Sequence, residues 1–487
     1  MGVNPFGNGG RGGRRATGEP VRAGDLAADA RALRRDGRTH EAAGYLERAL
    51  EVSPHKDNWR QSLCGLLAEL GRVEELAAHA QILAERADEV ATDRLLVVAR
   101  LAVKAGQVEA GRALLDRAVG DPPQPGPAVV ARRRLPGYLP PIEEGLLERT
   151  ARRVADAPTG APVEPVSATP FRAGQGQVVD GVVRHILRVA DREVRLVQKT
   201  LVGPAPREIL LHRDGVLPEA GDRWRSVTVH HVGEASPDRW HLLLEDLGDV
   251  EGLSTPRQIV DAARSLAELH AATLGARERL AHHGWLFGGE DLERVWAVPP
   301  VRAVTALPEA VLPEPLRTRA ADVLTRFHDA TPELDALATA LPSTLLHGDT
   351  GLENVVERTA PDGGRRMVWF DWDSVQVGPV GADLAQLLLG RALRHYARRA
   401  DPTVVERAVD AYAADLAVHG VSGEAVRAGY RLGATRRMLR LKFRSLRNLP
   451  AGVTSRDAPG VSAEKHRLVL EDLALLFDEA DRLLRSV

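Results

Sequence analysis

The chain has 487 residues, 44% of them hydrophobic and 27% charged, and a formal net charge of −2. That length allows about two to four domains with buried cores, and the near-neutral balance removes any whole-chain electrostatic case for binding nucleic acid or a membrane. The single cysteine, Cys64, sits in an apolar helical pattern and cannot close an internal disulfide, so a cytoplasmic setting is expected.

Residues 1–20 are Gly/Arg-rich without an apolar core and read as a disordered tail, neither a signal peptide nor a myristoylation signal. Over residues 21–123 the turn glycines Gly37, Gly71 and Gly106 step at tetratricopeptide spacing. The first copy (Gly37, Glu41, Ala42, Leu46, Ala49, Leu50, Pro54) and the third (Gly106, Gly111, Leu115, Ala118, Pro123) are the clearest, and Leu76 breaks the second. The stretch resembles a tetratricopeptide-like helical-hairpin array. Such an array implies either a groove for a peptide or protein partner or a purely structural appendage.

Residues 124–170 are Pro-rich and read as a linker holding one short helix from Ile142 to Val154. From residue 171 the pattern turns to strands, in GVVRHILRVADREVRLVQKTL, RSVTVHHVGEA and DRWHLLLEDLG, with a short helix from Ala205 to Asp214. Past residue 248 it turns to helices. The first carries a Ser254 or Thr255 cap and Pro256 at its first position, and further helices are expected at 313–341, 381–398, 402–418, 422–446 and 463–486. A sheet-rich lobe over 171–247 and a helical lobe over 248–487 make an α+β, two-lobed arrangement behind an all-α repeat region.

Chemistry concentrates in LLHGDTGLENVVERTAPDGGRRMVWFDWDSVQVGPVGADLA, Leu345 to Ala385. Phosphoryl transfer needs a carboxylate to orient the attacking hydroxyl and oxygen ligands to hold Mg²⁺ on the nucleotide phosphates. Asp349 suits the first role; Asn354 and Asp371 suit the second. Lys199 ends an apolar strand in a chain with only five lysines among 65 basic residues, and Glu208, nine residues on, is the nearest acid to hold it against the α/β-phosphates. The strand end LLLEDLG, with Glu245 and Leu247, could offer backbone groups to a purine edge. His347 is read as a brace for the loop, Asp373 as an auxiliary acid and Asp383 as a cap or brace for the next helix. Gly348 lets the backbone turn beside Asp349.

HGDTGLEN followed by FDWDSVQVGPVGADLA, together with LAELH and LLLEDLG, resembles the aminoglycoside phosphotransferase and choline kinase superfamily over roughly residues 171–480. The resemblance implies a protein-kinase-like fold, ATP or GTP with Mg²⁺, and phosphorylation of a hydroxyl. It casts Asp349 as base, Asn354 and Asp371 as metal ligands, and Lys199 with Glu208 as the nucleotide clamp. The chain departs from the family pattern at Gly351-Leu352-Glu353 and at Gly378-Pro379-Val380, and its glycine loop is reduced to Gly174, Gly176 and Gly181. A small acceptor (aminoglycoside-like, amino alcohol or sugar) is expected. Two alternatives stay open: Ser/Thr phosphorylation of a peptide docked on the repeats, as in peptide natural-product maturation, and a non-catalytic kinase-like scaffold. FDWDSV also fits the start of a haloacid-dehalogenase-type site, but no βαβ alternation follows it. No Walker A, H-E-x-x-H or G-x-S-x-G motif is present.

Overall fold

The structure, a computed structural model, describes residues 22–171, 179–249, 252–287, 301–360, 362–390, 400–443, 446 and 459–487. The expected tail at 1–20 and the loop glycines Gly174 and Gly176 lie outside the described residues. Described residues up to Pro141, with Pro170, Phe171 and 179–182, form one compact unit. Those from Ile142 to Thr169 and from Val183 onward form a second.

The first unit is helical. Helices α1 (Ala23–Arg35), α2 (Thr39–Val52), α3 (Asp57–Leu70), α4 (Val73–Glu85), α5 (Thr92–Lys104) and α6 (Val108–Val119) pair as three hairpins. Each hairpin turn is built the same way. Gly37, Gly71 and Gly106 take φ of 77°, 71° and 85°, open to glycine without a Cβ clash. The next residue then donates its N–H to the carbonyl five positions back: Arg38 to Leu33 at 2.9 Å, Arg72 to Leu67 at 2.9 Å, Gln107 to Ala102 at 2.8 Å. Small buried residues (Ala42, Ala49, Ala80, Ala99) let the helices close up, which is the packing of a helical repeat. Cys64 lies fully inside, and burial pushes its thiol up to about 12, so it packs as a small hydrophobe. In α7 (Pro127–Arg132), Arg132 meets the fully buried Asp180 at 2.7 Å, and the Tyr138 hydroxyl donates to the same carboxylate at 3.0 Å.

The second unit opens with α8 (Leu146–Val154). A five-stranded sheet follows in the order β1-β2-β3-β6-β5, from β1 (Val163–Pro170), β2 (Val179–Val189), β3 (Arg192–Val202), β5 (Val229–Ser236) and β6 (Arg239–Glu245). This corrects the reading of 124–170 as a linker: the segment carries two helices and an edge strand. Prolines can sit at such an edge because its outward N–H groups need no partner. Ala151 and Ala155 of the α8 segment pack on Leu187, Val189, Val194 and Leu196.

A second correction concerns RSVTVHHVGEA, read as one strand of the N-terminal sheet: its start belongs to a separate strand, β4 (Trp224–Ser226). It pairs in parallel with β9 (Arg365–Trp369), Trp224 opposite Met367, in a three-stranded sheet with β8 (Val355–Thr359). β7 (Ser343–Leu346) pairs with β10 (Gln376–Pro379). The remaining core is helical: α9 (Arg207–Arg213), α10 (Pro256–Ala272), α11 (Glu314–Asp329), α12 (Thr331–Ala340), α13 (Ala382–Leu389), α14 (Val404–Ala417), α15 (Gly423–Leu432) and α16 (Pro459–Leu484). Thr255 caps α10 in a reciprocal box with Gln258. A single π-helical turn, Gly433–Met438, follows α15. Among the described residues no helix is long and apolar enough to cross a membrane.

Candidate active site

The β7–β10 and β8–β9 ladders carry the site. β7 delivers His347 to Asp349, and the loop returns through Leu352–Asn354 into β8. Val355 lies opposite Trp369 on β9, so Asn354 faces Phe370; the Phe370 N–H donates to the Asn354 carbonyl at 3.1 Å. One residue later Asp371 takes φ 67°, which few non-glycine residues adopt and which turns its carboxylate out of the strand line. Gly348, at φ 77°, packs so tightly on this turn that a Cβ would lie 1.9 Å from the Ser374 carbonyl. Only glycine lets the two segments meet.

Lys199 occupies the centre. On β3 it pairs across to Leu242, and its ammonium bonds to Glu208 and, at 2.5 Å, to Asp371, with Asp373 at 3.7 Å. Glu208, in the first turn of α9, is fully buried and also receives the Trp372 N–H at 3.4 Å. Burial alone would discharge this cluster. Desolvation opposes the Lys199 charge, but three carboxylates outweigh it and hold the ammonium well above its ordinary pKa. Desolvation likewise raises Asp371, yet Lys199 pulls it down to about 2. Asp373 goes the other way: burial, with the Asp371 carboxylate beside it, raises it well above the usual range. Burial also raises Glu208.

A hard divalent cation fits these residues. Carboxylate oxygens of Glu208, Asp371 and Asp373 lie within 4.8 Å of one another, and Asp373 Oδ1 is buried without a hydrogen-bond partner. The Asn354 amide donates to the Asp349 carbonyl at 2.8 Å. Asn354 is therefore tied first to the catalytic loop, and the acid grouped with Asp371 is Asp373.

His347 is placed as a brace. Its Nε2 meets the Phe370 carbonyl at 3.1 Å and must donate; its Nδ1 receives the Asp349 N–H at 3.3 Å and must accept. With both nitrogens used, the neutral ring has no lone pair left for a substrate proton. Burial lowers its pKa in the same sense. The ring also packs on the indoles of Trp372 and Trp369, with centroids at 4.3 and 5.5 Å.

Asp383 does not cap α13, whose N-cap Gly381 has no side-chain cap. It accepts the His347 N–H at 2.7 Å and the Gly348 N–H at 3.1 Å, so it holds the catalytic loop instead. Its carboxylate stands 3.3 Å from His270 Nε2, whose other nitrogen meets the Tyr412 hydroxyl at 2.6 Å. Burial would raise Asp383, but the His270 contact and the loop N–H groups hold it below the usual range.

Of the backbone groups expected to read a purine edge, the Glu245 N–H and the Leu247 carbonyl have other partners. Glu245 binds Arg225 and the Thr228 hydroxyl (3.1 Å), and its N–H donates to the Thr228 carbonyl at 2.9 Å. The Leu247 carbonyl accepts from the Arg358 guanidinium. Both tie the end of β6 to neighbouring loops, because an acid and a free carbonyl at a strand end attract nearby arginines. Two residues beside Asp349 carried no sequence signal: Gln386, whose amide donates to Asp349 Oδ1, and Arg437, whose Nη2 stands 3.8 Å from the same oxygen. Gln386 shares a helical face with Asp383, three positions earlier. Arg437 comes from a distant π-helical turn.

Residues 191–421 match the family model described as phosphotransferase enzyme family. No curated protein matches the chain. Similar solved structures include the following three. A spectinomycin phosphotransferase in complex with ADP and spectinomycin is 12% identical, with 70% of this chain and 100% of that one covered, at a TM-score of 0.39. The GDP complex of an aminoglycoside 2'-phosphotransferase is 16% identical, with 68% and 99% covered, at 0.37. An aminoglycoside phosphotransferase from Streptomyces rimosus is 18% identical, with 60% and 98% covered, at 0.30.

Proposed function

We propose, from the match of residues 191–421 to the phosphotransferase enzyme family, that this chain is a kinase-type phosphotransferase moving the γ-phosphoryl group of a nucleoside triphosphate, ATP or GTP, to a hydroxyl of a small molecule. The observation that carries the reading is the Lys199 ammonium held between buried Glu208 and Asp371, on the same turn system that positions Asp349. A fixed cation beside two acids that can hold Mg²⁺ is what a triphosphate needs, and Asp349 supplies a nearby carboxylate for the incoming hydroxyl.

In this reading Lys199 holds the α/β-phosphates, with Glu208 fixing its position. Asp371, Asp373 and Asn354 hold Mg²⁺, which when bound supplies neutralisation of charge on the phosphate oxygens. Asp349 orients the hydroxyl and accepts its proton late. His347 and Asp383 keep the loop still. Residues 21–123 remain a separate helical repeat region with no assigned part in the chemistry.

Thermal unfolding with AMP-PNP tests the core of this. Stabilisation should appear only when Mg²⁺ is present and should vanish in Asp371→Ala. Nucleotide stabilisation equal in the two proteins would remove Asp371 from the site.

A further inference from the structure

Among the described residues, Arg437 is a buried charge with few partners. Its side chain is only 12% exposed. Among the described residues its guanidinium makes no hydrogen bond, and Nε is buried without a partner. A guanidinium carries five donors in a rigid fork, and burying them unpaired is costly. Asp349 at 3.8 Å is too far to bond it. The neighbouring Arg436 also has a buried Nε without a partner, but its Nη2 bonds Asp335 at 2.5 Å, a contact Arg437 lacks. Gln386 repeats the pattern of Arg437. Its amide N–H is spent on Asp349, while its Oε1 is buried with no donor. The backbone at Arg437 is a single π-helical turn, a local irregularity that often re-aims a side chain at a functional site.

These open groups lie on one side of Asp349. The carboxylates acting on Arg437 are Asp349 and Asp383, whereas Asp371, Asp373 and Glu208 act on Lys199. The nucleotide phosphates belong with Lys199, so the unsatisfied fork faces whatever brings the hydroxyl. It is built for a planar, bidentate oxyanion and repels a cation.

We infer that the acceptor is an alcohol bearing a carboxylate or similar oxyanion, clasped by Arg437 while its hydroxyl meets Asp349 and a second N–H or O–H donor reaches Gln386 Oε1. This rests on the reading of Asp349 as the acceptor-side residue. Among the acceptors the sequence suggests, it disfavours amino alcohols and aminoglycoside-like polycations. Transfer then breaks the bond between the γ-phosphorus and the β–γ bridging oxygen and forms one from phosphorus to the acceptor oxygen, with the hydroxyl proton passing to Asp349.

Two measurements on the full-length protein test it. The first is calorimetric titration with sulfate at constant ionic strength, with and without saturating Mg²⁺–AMP-PNP. Wild type should bind sulfate with nucleotide in place, and Arg437→Ala should weaken that binding about 10–100-fold, with partial recovery in Arg437→Lys. Sulfate binding that nucleotide abolishes, or that Arg437→Ala leaves intact, would overturn the inference; absence of binding in wild type would as well. Failure of AMP-PNP itself to bind would count against the functional reading alone, and the nucleotide-free titration would still judge Arg437. The second is ADP release with matched hydroxy acids, polyols and amino alcohols. Hydroxy acids should be preferred, and Arg437→Ala should raise their KM more than it lowers kcat. A preference for amino alcohols, or an equal fall in kcat for every class, would sink the proposal.

Discussion

Asp349 offers its two carboxylate oxygens unequally. Oδ1 takes the Gln386 amide and faces Arg437, and among the described residues Oδ2 has no hydrogen-bond partner. The free oxygen is the one to meet a hydroxyl. Asp349→Asn keeps the shape but loses the negative charge, so turnover should fall by about 10²–10⁴ while nucleotide affinity measured by titration stays put. Asp349, Asp371 and Lys199 could be singled out in the sequence because each sits in a local pattern: an HGD loop, a strand end, a scarce lysine on an apolar strand. Arg437 could not, because nothing near position 437 announces that a helix turn from a later element will bring it beside Asp349. The contacts of Glu245 and Leu247 with Arg225 and Arg358 were not legible, because those partners are supplied by other segments.

Among the elements, the catalytic loop is held by contacts that tolerate little change. Gly348→Ala would place a Cβ 1.9 Å from the Ser374 carbonyl on a backbone at φ 77°. It should cost at least ~2 kcal/mol in denaturant unfolding and abolish turnover. Asp383 ties the loop to α13, and Asp383→Asn should cost about 3 kcal/mol near neutrality. The sign with pH follows from its depressed folded-state pKa. The carboxylate's contribution is fully present above the unfolded value of ~3.9 and is lost as pH falls through the lower folded value, so the gap between wild type and variant should close in acid. A gap that widens below pH 4 would reassign the stabilisation to another group. The glycine step of the repeats was readable because each turn requires a left-handed residue. The edge strand β1 was not, because a Pro-rich run reads as linker until a sheet edge is found to accept it.

For the whole molecule, two compact units imply two unfolding phases. Saturating Mg²⁺–AMP-PNP should raise only the phase of the unit that carries Lys199 and Asp371. Arg132→Ala, which removes the bidentate partner of buried Asp180, should lower the other by about 3–5 kcal/mol. Scanning calorimetry of wild type and Arg132→Ala, each with and without ligand, would read this directly, and a single transition shifted by both changes would refute it. The α+β order of a helical region followed by a sheet and then helices was readable from hydrophobic period alone; the placement of β4 beside β9 was not, since a three-residue strand has too little pattern to name its partner.

Trp372 sits between Asp371 and Asp373, its indole against the His347 ring and its Nε1 donating to Ser226 at 3.1 Å. Only seven tryptophans occur in the chain, and two of them flank this histidine. The emission of these indoles therefore doubles as a built-in optical gauge of the turn, readable in a plain fluorimeter without dye or label and weakened by exchanging Trp372 for phenylalanine.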